Sequence, residues 1–319
     1  MYLTRGADKV NRLINVNDKH HLIEGNTSMR KTVTKTESKI KDKNARARKA
    51  EVLSYRIFTK LCTALTILSL IFIIAYVFVR GIPHLTPEIF ELKFDATNQS
   101  MFPAIIGTLQ LVIASILIAA PVGIFTGFYL VEYSKTGSKF VEIIRMVTQT
   151  LSGIPSIVYG LFGMLFYVFS LQWSYSLRAG ILTVSIMILP LIIRATEEAL
   201  LSVKNNIREG SFALGAGKLR TIFKVVLPIA MPGILSGIIL AIGRIVGETA
   251  ALVYTFGAAT SIPTSLKESG RTLAVHMYVL SSEGLHVDKA FATGTILIVI
   301  VLIINALSTF LAGKLVEEK

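Results

Sequence analysis

The chain has 319 residues, of which 52% are hydrophobic and only 17% are charged, and its formal net charge is +13. Its mean hydropathy of +0.63 exceeds that of ordinary soluble domains, so the composition indicates an integral membrane protein and excludes a soluble fold. The single cysteine, Cys62, excludes a disulfide framework or a thiolate metal site built within the chain. We therefore expect an all-α, polytopic membrane protein without a metal site.

The first segment, residues 1–55, predicts a disordered basic tail, because it is rich in Lys, Thr, Asn and Arg and contains few large apolar side chains. The first 56 residues hold 14 basic and 6 acidic side chains. They show neither interleaved aromatic residues nor a nucleic-acid-binding motif, so binding to nucleic acid is a poor explanation for this charge. Anchoring at the cytoplasmic membrane surface, with contact to anionic lipid, is the favoured interpretation.

Six stretches are candidates for membrane spans, since a helix needs about 20 mostly apolar residues to cross the hydrocarbon layer with its backbone fully paired. Four of them contain long runs without Asp, Glu, Lys or Arg. The fourth in chain order is the weakest, because its uncharged part, 179–193, is short, and the fifth contains Arg244 and Glu248. The predicted spans are about 57–79, 104–131, 146–171, 173–193, 229–258 and 290–313.

The distribution of basic residues predicts the orientation of these spans. With six spans both chain ends lie on one side, and 26 of the 33 Lys and Arg residues fall on that side while 6 fall on the other. Basic residues accumulate in cytoplasmic loops, so both termini are expected in the cytoplasm. Residues 56–319 then form a single membrane domain in which 194–228 is a cytoplasmic loop.

Pairs of glycines four residues apart occur inside the predicted spans, and small residues at this spacing let helix backbones approach each other closely. We expect them to pack against neighbouring helices rather than to carry chemistry. The pairs are Gly123 with Gly127, Gly233 with Gly237, and Gly243 with Gly247.

A short helix is predicted within the loop 194–228. Asn206 is expected to cap it, Glu209 to return a hydrogen bond to the cap, and Gly215 to end it. Ile207, Ser211 and Leu214 fall near one face, with Phe212 beside them. A small helix that shows an apolar surface while tethered by two spans is expected to bind a partner.

The same segment resembles the EAA loop of ABC importer permeases. Glu209-Gly210-Ser211, three residues, Gly215, nine residues and Val225-Val226-Leu227-Pro228 reproduce the family spacing, with Gly and Ser for two alanines and Val for an isoleucine. The resemblance implies the type I ABC importer permease fold and a short helix that docks into a cleft on a cytoplasmic ATPase subunit. The residues implied in this coupling are Glu209, Gly210, Ser211, Phe212, Leu214, Gly215, Leu227 and Pro228.

A neighbouring sequence imitates a nucleotide-binding loop but lacks its essential residues. Residues 215–218 read Gly-Ala-Gly-Lys, yet Phe212 stands where the first glycine belongs and Leu219 stands where Ser or Thr belongs. We therefore expect this chain to bind no cofactor and to be no enzyme, with ATP and Mg²⁺ held by a partner ATPase.

Arg244 and Glu248 lie inside the fifth predicted span, and Glu248 is expected one helical turn after Arg244 on the same face. Ionisable residues inside the membrane are costly and usually line a pathway or pair with another charge. One interpretation is a structural ion pair, with each other or with a partner subunit. The other is an anionic substrate, because a guanidinium fork fits an oxyanion and Glu248 can accept a proton from one that carries it. Hydrogen phosphate carries such a proton, whereas sulfate at neutral pH does not.

Residues 243–250 resemble the G-R-x-x-G-E-T segment of the permeases of bacterial phosphate importers, and 151–163 and 196–200 add further similarity. The runs Glu-Thr-Ala-Ala-Leu and Leu-Ser-Gly-Ile-Pro-Ser are more similar to PstA-type than to PstC-type subunits. The resemblance implies a PstC-like second permease, a PstB-like ATPase dimer and a PstS-like phosphate-binding protein outside the cell. Candidate pathway residues are Arg244 and Glu248, with Thr249, Gln149 and Ser152 as weaker ones.

Other functions stay open at this point. A permease for molybdate or sulfate shares the EAA loop but not the G-R-x-x-G-E-T segment, and the chain is alternatively the PstC-type partner subunit. A secondary transporter is disfavoured because the span lengths show no inverted repeat. A membrane enzyme or receptor lacks a visible catalytic constellation or folded extramembrane domain.

Overall fold

The computed structural model describes residues 52–134, 137–284 and 286–317, and within these ranges every regular element is a helix. The predicted basic tail lies outside the described residues as far as residue 51. The chain divides between Ile73 and Ile74 into two units. The described part of the first unit is helical, and its apolar side chains, such as Leu65 and Leu68, are exposed, as suits a surface covered by lipid.

Five helices are long and apolar enough to cross a membrane, and a sixth crossing results if one bent pair of helices counts as a single span. The weak fourth candidate is confirmed as a helix, Leu177–Leu201. The helices are α1 Val52–His84, α2 Phe102–Tyr133, α3 Lys139–Ser152, α4 Ser156–Ser170, α5 Leu177–Leu201, α6 Asn205–Ala213, α7 Lys218–Val246, α8 Ala250–Val253, α9 Leu273–Glu283 and α10 Val287–Glu317.

The third predicted span, 146–171, is not one continuous helix. It is the end of α3 followed by α4, and these two helices meet at an angle of 98°. Pro155 has an extended backbone (φ −61°, ψ 143°) and begins α4 as its N-cap. Proline disfavours helical backbone at the preceding residue, and Gly153 adds a residue of poor helix propensity, so the chain breaks here despite its continuous apolarity.

The fifth predicted span, 229–258, is also different in the structure. Helix α7 begins at Lys218 and ends at Val246, and the chain then makes a break of three residues before the short helix α8. Leu227 and Pro228 consequently lie inside a long helix, and the connection between α5 and α7 is 202–217 rather than 194–228. Residues 222–226 form a wider π turn, which accommodates the ring and the missing N–H of Pro228.

Helix α5 is the centre of the second unit, because α2 and α7 both pack along it. A Cβ atom on Gly123 would lie 2.7 Å from Ile192, and one on Gly237 would lie 2.2 Å from the Cβ of Ala195. Two of the three predicted glycine pairs therefore pack as expected. The third does not, since a Cβ atom on Gly243 would meet no atom within 4 Å.

Two ends of the second unit can be distinguished by their loops and are named the α6 end and the α9 end. At the α6 end, the last turns of α2 and α5 meet α6. At the α9 end, the Leu177 N–H donates to the Glu268 carbonyl at 2.8 Å, and the Leu273 N–H donates to Thr108 Oγ1 at 2.8 Å. These bonds fix the starts of α5, α2 and α9 together.

Candidate functional site

The two breaks in the helices lie close to each other in the second unit. Helix α4, which follows the first break, packs against α8, which follows the second, so closely that a Cβ atom on Gly160 would lie 2.7 Å from the Cα of Ala251. Tyr159 belongs to the same buried apolar cluster as Ile245 and Leu252. Both interruptions therefore belong to one region, where backbone without helical pairing and a charged side chain occur together.

Tyr159 joins the two sides of the first break. Its hydroxyl donates to the Leu151 carbonyl at 2.8 Å, so it pairs a group that α3 leaves open at its end. The side chain is buried, and Arg244 is near enough to act on it electrostatically. The sequence contained this tyrosine in the segment that resembles phosphate importers, but no pattern pointed to its role.

Arg244 lies in the last turn of α7 with its side chain exposed on the surface of this chain. Within the described residues it makes no hydrogen bond and no ion pair, because no carboxylate oxygen lies within 4.0 Å. A cation at a helix C-terminus is stabilised by the helix dipole, so this position is tolerated without a partner. The guanidinium is therefore available to a ligand or to another subunit.

Glu248 does not follow Arg244 on the same helical face, contrary to the prediction, because α7 ends before it. Its Oε1 atom accepts a hydrogen bond from the Ala251 N–H at 3.1 Å and so caps α8. The residue is 8% exposed. The internal ion pair considered from the sequence is thus absent among the described side chains, and the carboxylate instead holds the second break in shape.

The three weaker candidates lie at the breaks or beside them. Ser152 ends α3 and donates its hydroxyl to the Gln149 carbonyl at 2.8 Å, and both side chains are exposed. Gln149 lines a cavity of about 170 Å³ together with Arg145 and Arg194. Thr249 stands at the start of α8 and lines a separate, largely apolar groove of about 420 Å³.

Helix α6 presents an apolar surface, but its members differ in part from the prediction. Leu214 is 90% exposed and Phe212 is 46% exposed, and Glu209 and Gly210 are exposed beside them. Ile207 instead packs against a buried cluster. The outward surface of α6 therefore consists of its last turn and the residue that follows it.

The predicted cap of α6 is wrong, because the helix begins at Asn205 with Lys204 as its N-cap and without a side-chain cap hydrogen bond. The predicted end is correct. Gly215 has a φ of +83°, and the Ala216 N–H donates to the Ser211 carbonyl at 3.1 Å, which is the usual glycine termination of a helix. Ser211 also pairs with the Thr221 hydroxyl at 2.8 Å and so faces inward.

Arg208, which sequence reasoning missed, fixes α6 to the rest of the unit. Its Nη2 atom donates to Glu132 Oε1 at 2.8 Å and to the Leu200 carbonyl at 2.8 Å, and its Nη1 atom donates to the Val203 carbonyl at 2.5 Å. The side chains of Arg208 and Glu132 are only 13% and 9% exposed. A movement of α6 is therefore transmitted directly to the end of α2 as well as to α5.

The family description "binding-protein-dependent transport system inner membrane component" matches residues 119–317, which contain both helix breaks and α6. The chain belongs to this family. It is a multi-pass membrane permease, and the predicted all-α fold agrees with that membership.

Relatives of this permease support the resemblance to phosphate importer subunits. It is 31% identical to the probable ABC transporter permease protein YqgI of Bacillus subtilis over 277 residues, which cover 81% of this chain and 94% of YqgI. It is 39% identical to the phosphate transport system permease protein PstA 2 of Mycobacterium bovis over 203 residues, 64% of this chain and 67% of the relative. A PstA homolog of Mycoplasma pneumoniae is 34% identical over 78% of this chain, which spans only 39% of that longer relative.

Solved structures of other importers share the fold. An alginate-importing bacterial ABC transporter has a TM-score of 0.55 at 16% identity, covering 80% of this chain and 95% of that one. The methionine ABC transporter MetNI in an inward-facing conformation has a TM-score of 0.54 at 20% identity, covering 67% of this chain and 94% of that one. The predicted ABC importer permease fold is thereby confirmed.

Proposed function

We propose that this permease is the PstA-type subunit of an ATP-driven phosphate importer and forms half of its translocation pathway. The observation that carries the proposal is the exposed and unpaired guanidinium of Arg244 beside two helix breaks. The relatives named as phosphate transport permeases support phosphate as the substrate. A guanidinium recognises an oxyanion through charge-assisted hydrogen bonds, and non-helical backbone at membrane depth is tolerated where it lines a cavity.

The proposal includes the orientation and the partners. The excess of basic residues supports placing both termini and α6 in the cytoplasm of a cell with the chain in its inner membrane. A PstC-like permease then supplies the other half of the pathway, and a PstS-like protein delivers phosphate from outside. The chain itself is no enzyme and binds no cofactor, because ATP and Mg²⁺ belong to a PstB-like ATPase dimer.

Coupling in this scheme runs through α6. The exposed Leu214 and Phe212 bind the ATPase subunit, and Glu209, Gly210, Ser211 and Gly215 shape the docking helix. Closure of the ATPase pair on ATP moves α6, and the bond between Arg208 and Glu132 carries that movement into α2. The pathway then opens outward, and hydrolysis of ATP returns it to the inward-facing state.

Uptake of radiolabelled phosphate by cells that express the complete transporter tests the substrate and the role of Arg244. We expect Arg244→Gln to reduce uptake to background while the complex still assembles, and Arg80→Gln, a matched change of an exposed arginine, to leave uptake intact. Native uptake by Arg244→Gln would refute its pathway role. Equal inhibition by phosphate, sulfate and molybdate would refute the substrate assignment, and the proteins that co-purify in mild detergent identify the partners.

A further inference from the structure

A second arginine, far along the chain from Arg244, is buried at the α9 end. Arg271 is 4% exposed and lies just before α9, and His276 in α9 is 0% exposed. Arginine is almost never fully buried without a paired acceptor, because the desolvation of its charge is costly. The burial of these two polar side chains is therefore not explained by apolar packing.

Arg271 and His276 share contact with one aromatic ring. The Arg271 Cζ atom lies 4.6 Å from the centre of the Phe94 ring, and the His276 ring meets the same phenyl ring edge-on at 6.3 Å. Arg271 Nη2 and both ring nitrogens of His276 are fully buried and make no hydrogen bond of acceptable geometry to any described residue. The Gln99 backbone carbonyl lies near enough to the His276 ring to favour its protonated form as a hydrogen-bond acceptor, although the contact falls short of an acceptable hydrogen-bond geometry.

No carboxylate in the described part of the chain compensates this charge at close range. Glu283 favours the charged form of Arg271, but its oxygens lie beyond the 4.0 Å limit of an ion pair. Burial lowers the pKa of Arg271 to about 10, so the guanidinium still carries its charge at neutral pH. Burial and then the Arg271 charge lower the pKa of His276 to about 3, so the imidazole is neutral and carries a single N–H.

The chain keeps this charge in place by its backbone rather than by its side chain. The Arg271 carbonyl lies against Gly107, where a Cβ atom would come within 2.6 Å, and the following Leu273–Thr108 hydrogen bond fixes the segment to α2. Phe94 belongs to a loop that Lys289 ties down through the Thr97 carbonyl at 2.6 Å. The Arg271 guanidinium is thus a preorganised donor beneath an aromatic cover, with the His276 ring at the edge of the same phenyl ring.

We propose that Arg271 and His276 bind a phosphate-type oxyanion beneath the Phe94 ring, as a second site at the α9 end. The inference rests on the proposed function, in which this end faces the outside and the oxyanion is the cargo. A doubly negative oxyanion supplies the acceptors that the guanidinium lacks, and charge-assisted bonds of this kind are the strongest that arginine forms. The Phe94 ring must move aside for the anion to reach Arg271. Because the α9 end faces the outside in the proposed orientation, the anion binds there before it meets Arg244.

Equilibrium binding of radiolabelled inorganic phosphate to the purified transporter complex, without its binding protein, tests the inference. The comparison includes wild type, Arg271→Gln, Arg244→Gln and the double variant. We expect each single variant to lose one class of phosphate sites and the double variant to lose both. Arg178→Gln is the matched control, because Arg178 lies at the same end but is only partly buried, with its Cζ atom 4.2 Å from the centre of the Trp173 ring. This variant should retain both classes of phosphate sites.

The outcomes separate this inference from the proposed function. Unchanged phosphate binding by Arg271→Gln, or an equal loss by Arg178→Gln, would refute the second site at the α9 end. A loss of binding confined to Arg244→Gln supports the pathway role of Arg244 and refutes the second site at the α9 end. A loss confined to Arg271→Gln supports the second site and refutes the pathway role of Arg244. If Arg271→Gln does not assemble, Arg271→Lys is expected to weaken binding roughly tenfold because it keeps the charge without the fork. Unchanged affinity in Arg271→Lys and His276→Asn would then overturn the inference.

A lipid headgroup offers the same phosphate chemistry, so the binding is repeated in nanodiscs. Inorganic phosphate should bind the Arg271 site equally in nanodiscs of zwitterionic lipid and of phosphatidylglycerol. Loss of the site in phosphatidylglycerol alone would assign Arg271 to a lipid headgroup and would refute a cargo site.

Discussion

Arg208 at the α6 end and Arg271 at the α9 end are both largely buried, yet only Arg208 is surrounded by acceptors. Arg208 donates to Glu132 and to two backbone carbonyls, whereas Arg271 has the face of Phe94 and makes no hydrogen bond to a described residue. A guanidinium whose donors are paired links the elements that carry its acceptors, whereas one with unpaired donors is available to an incoming anion. The two ends therefore use the same residue type for mechanical linkage and for recognition.

The largest effect on stability is expected from removing the ion pair between Arg208 and Glu132 at the α6 end. Removing one partner of a buried ion pair leaves an uncompensated charge, so Glu132→Ala should lower the free energy of unfolding by roughly 3–5 kcal/mol. Thermal unfolding of the purified complex measures this loss. Arg271→Gln is the contrasting variant, because it removes a charge that has no partner, and it should destabilise far less. Equal destabilisation by both variants would remove the distinction between the two ends.

Acid should weaken the α9 end through His276. The unfolded chain protonates this side chain below about pH 6.5, whereas the folded chain does so only below about pH 3, so the unfolded state binds more protons between these values. Stability contributed by the neutral ring is present above pH 6.5 and falls as the pH is lowered, by about 2 kcal/mol at pH 5.

The charged groups that act on His276 are Arg271 directly and Glu283 through Arg271. Unfolding midpoints of wild type and His276→Asn between pH 7 and pH 5 measure this contribution, and the variant should lose less stability. Bound phosphate should reduce the acid sensitivity, because the anion favours the protonated ring. Identical pH profiles for both proteins would show that His276 is not buried in its neutral form.

The exposed surface of α6 should matter for assembly and not for folding. Leu214→Asp changes a side chain that is 90% exposed, so its effect on the free energy of unfolding should stay within about 0.5 kcal/mol. Attachment of the ATPase subunit should weaken at least tenfold, about 1.4 kcal/mol, since a carboxylate is buried without a partner at the contact. Co-purification of the ATPase measures this. Leu266→Asp, an exposed leucine at the α9 end, should leave attachment unchanged.

The smallest effect is expected from stiffening α6. A Cβ atom on Gly210 would meet no atom within 4 Å, so Gly210→Ala gains helix propensity without a clash. The gain should be at most about 1 kcal/mol, and it should leave phosphate binding at the α9 end unchanged. Altered binding there would reveal a coupling between the two ends that their separate hydrogen bonding does not predict.

The sequence predicted the helices because their apolarity is a property of neighbouring residues. It predicted the termination of α6 at Gly215 for the same reason, since a glycine after a short amphipathic run is a local signal. The break at Gly153–Pro155 was also visible as a pair of helix-breaking residues, but the continuous apolar composition favoured counting 146–171 as one span. Local patterns therefore gave the elements and some of their ends.

The sites depended on contacts that no local pattern contains. Glu132 and Arg208 are 76 residues apart in the chain, so their pairing becomes evident only when α2 and α6 are packed together. Arg271 reads in the sequence as an ordinary loop residue, and its burial depends on the loop that carries Phe94. Glu248 was placed on the wrong face because one glycine, Gly247, ends α7 earlier than its apolar residues suggested.

The close packing of α4 on α8 has a mechanical consequence. These two short segments meet at Gly160 and Ala251 without room for a side chain between them, so a movement of one displaces the other. Each is joined to its longer neighbour by a few residues, 153–155 in one case and 247–249 in the other. A hinge rotation about these two joints would change only a handful of backbone dihedral angles and would tilt the surface beside Arg244.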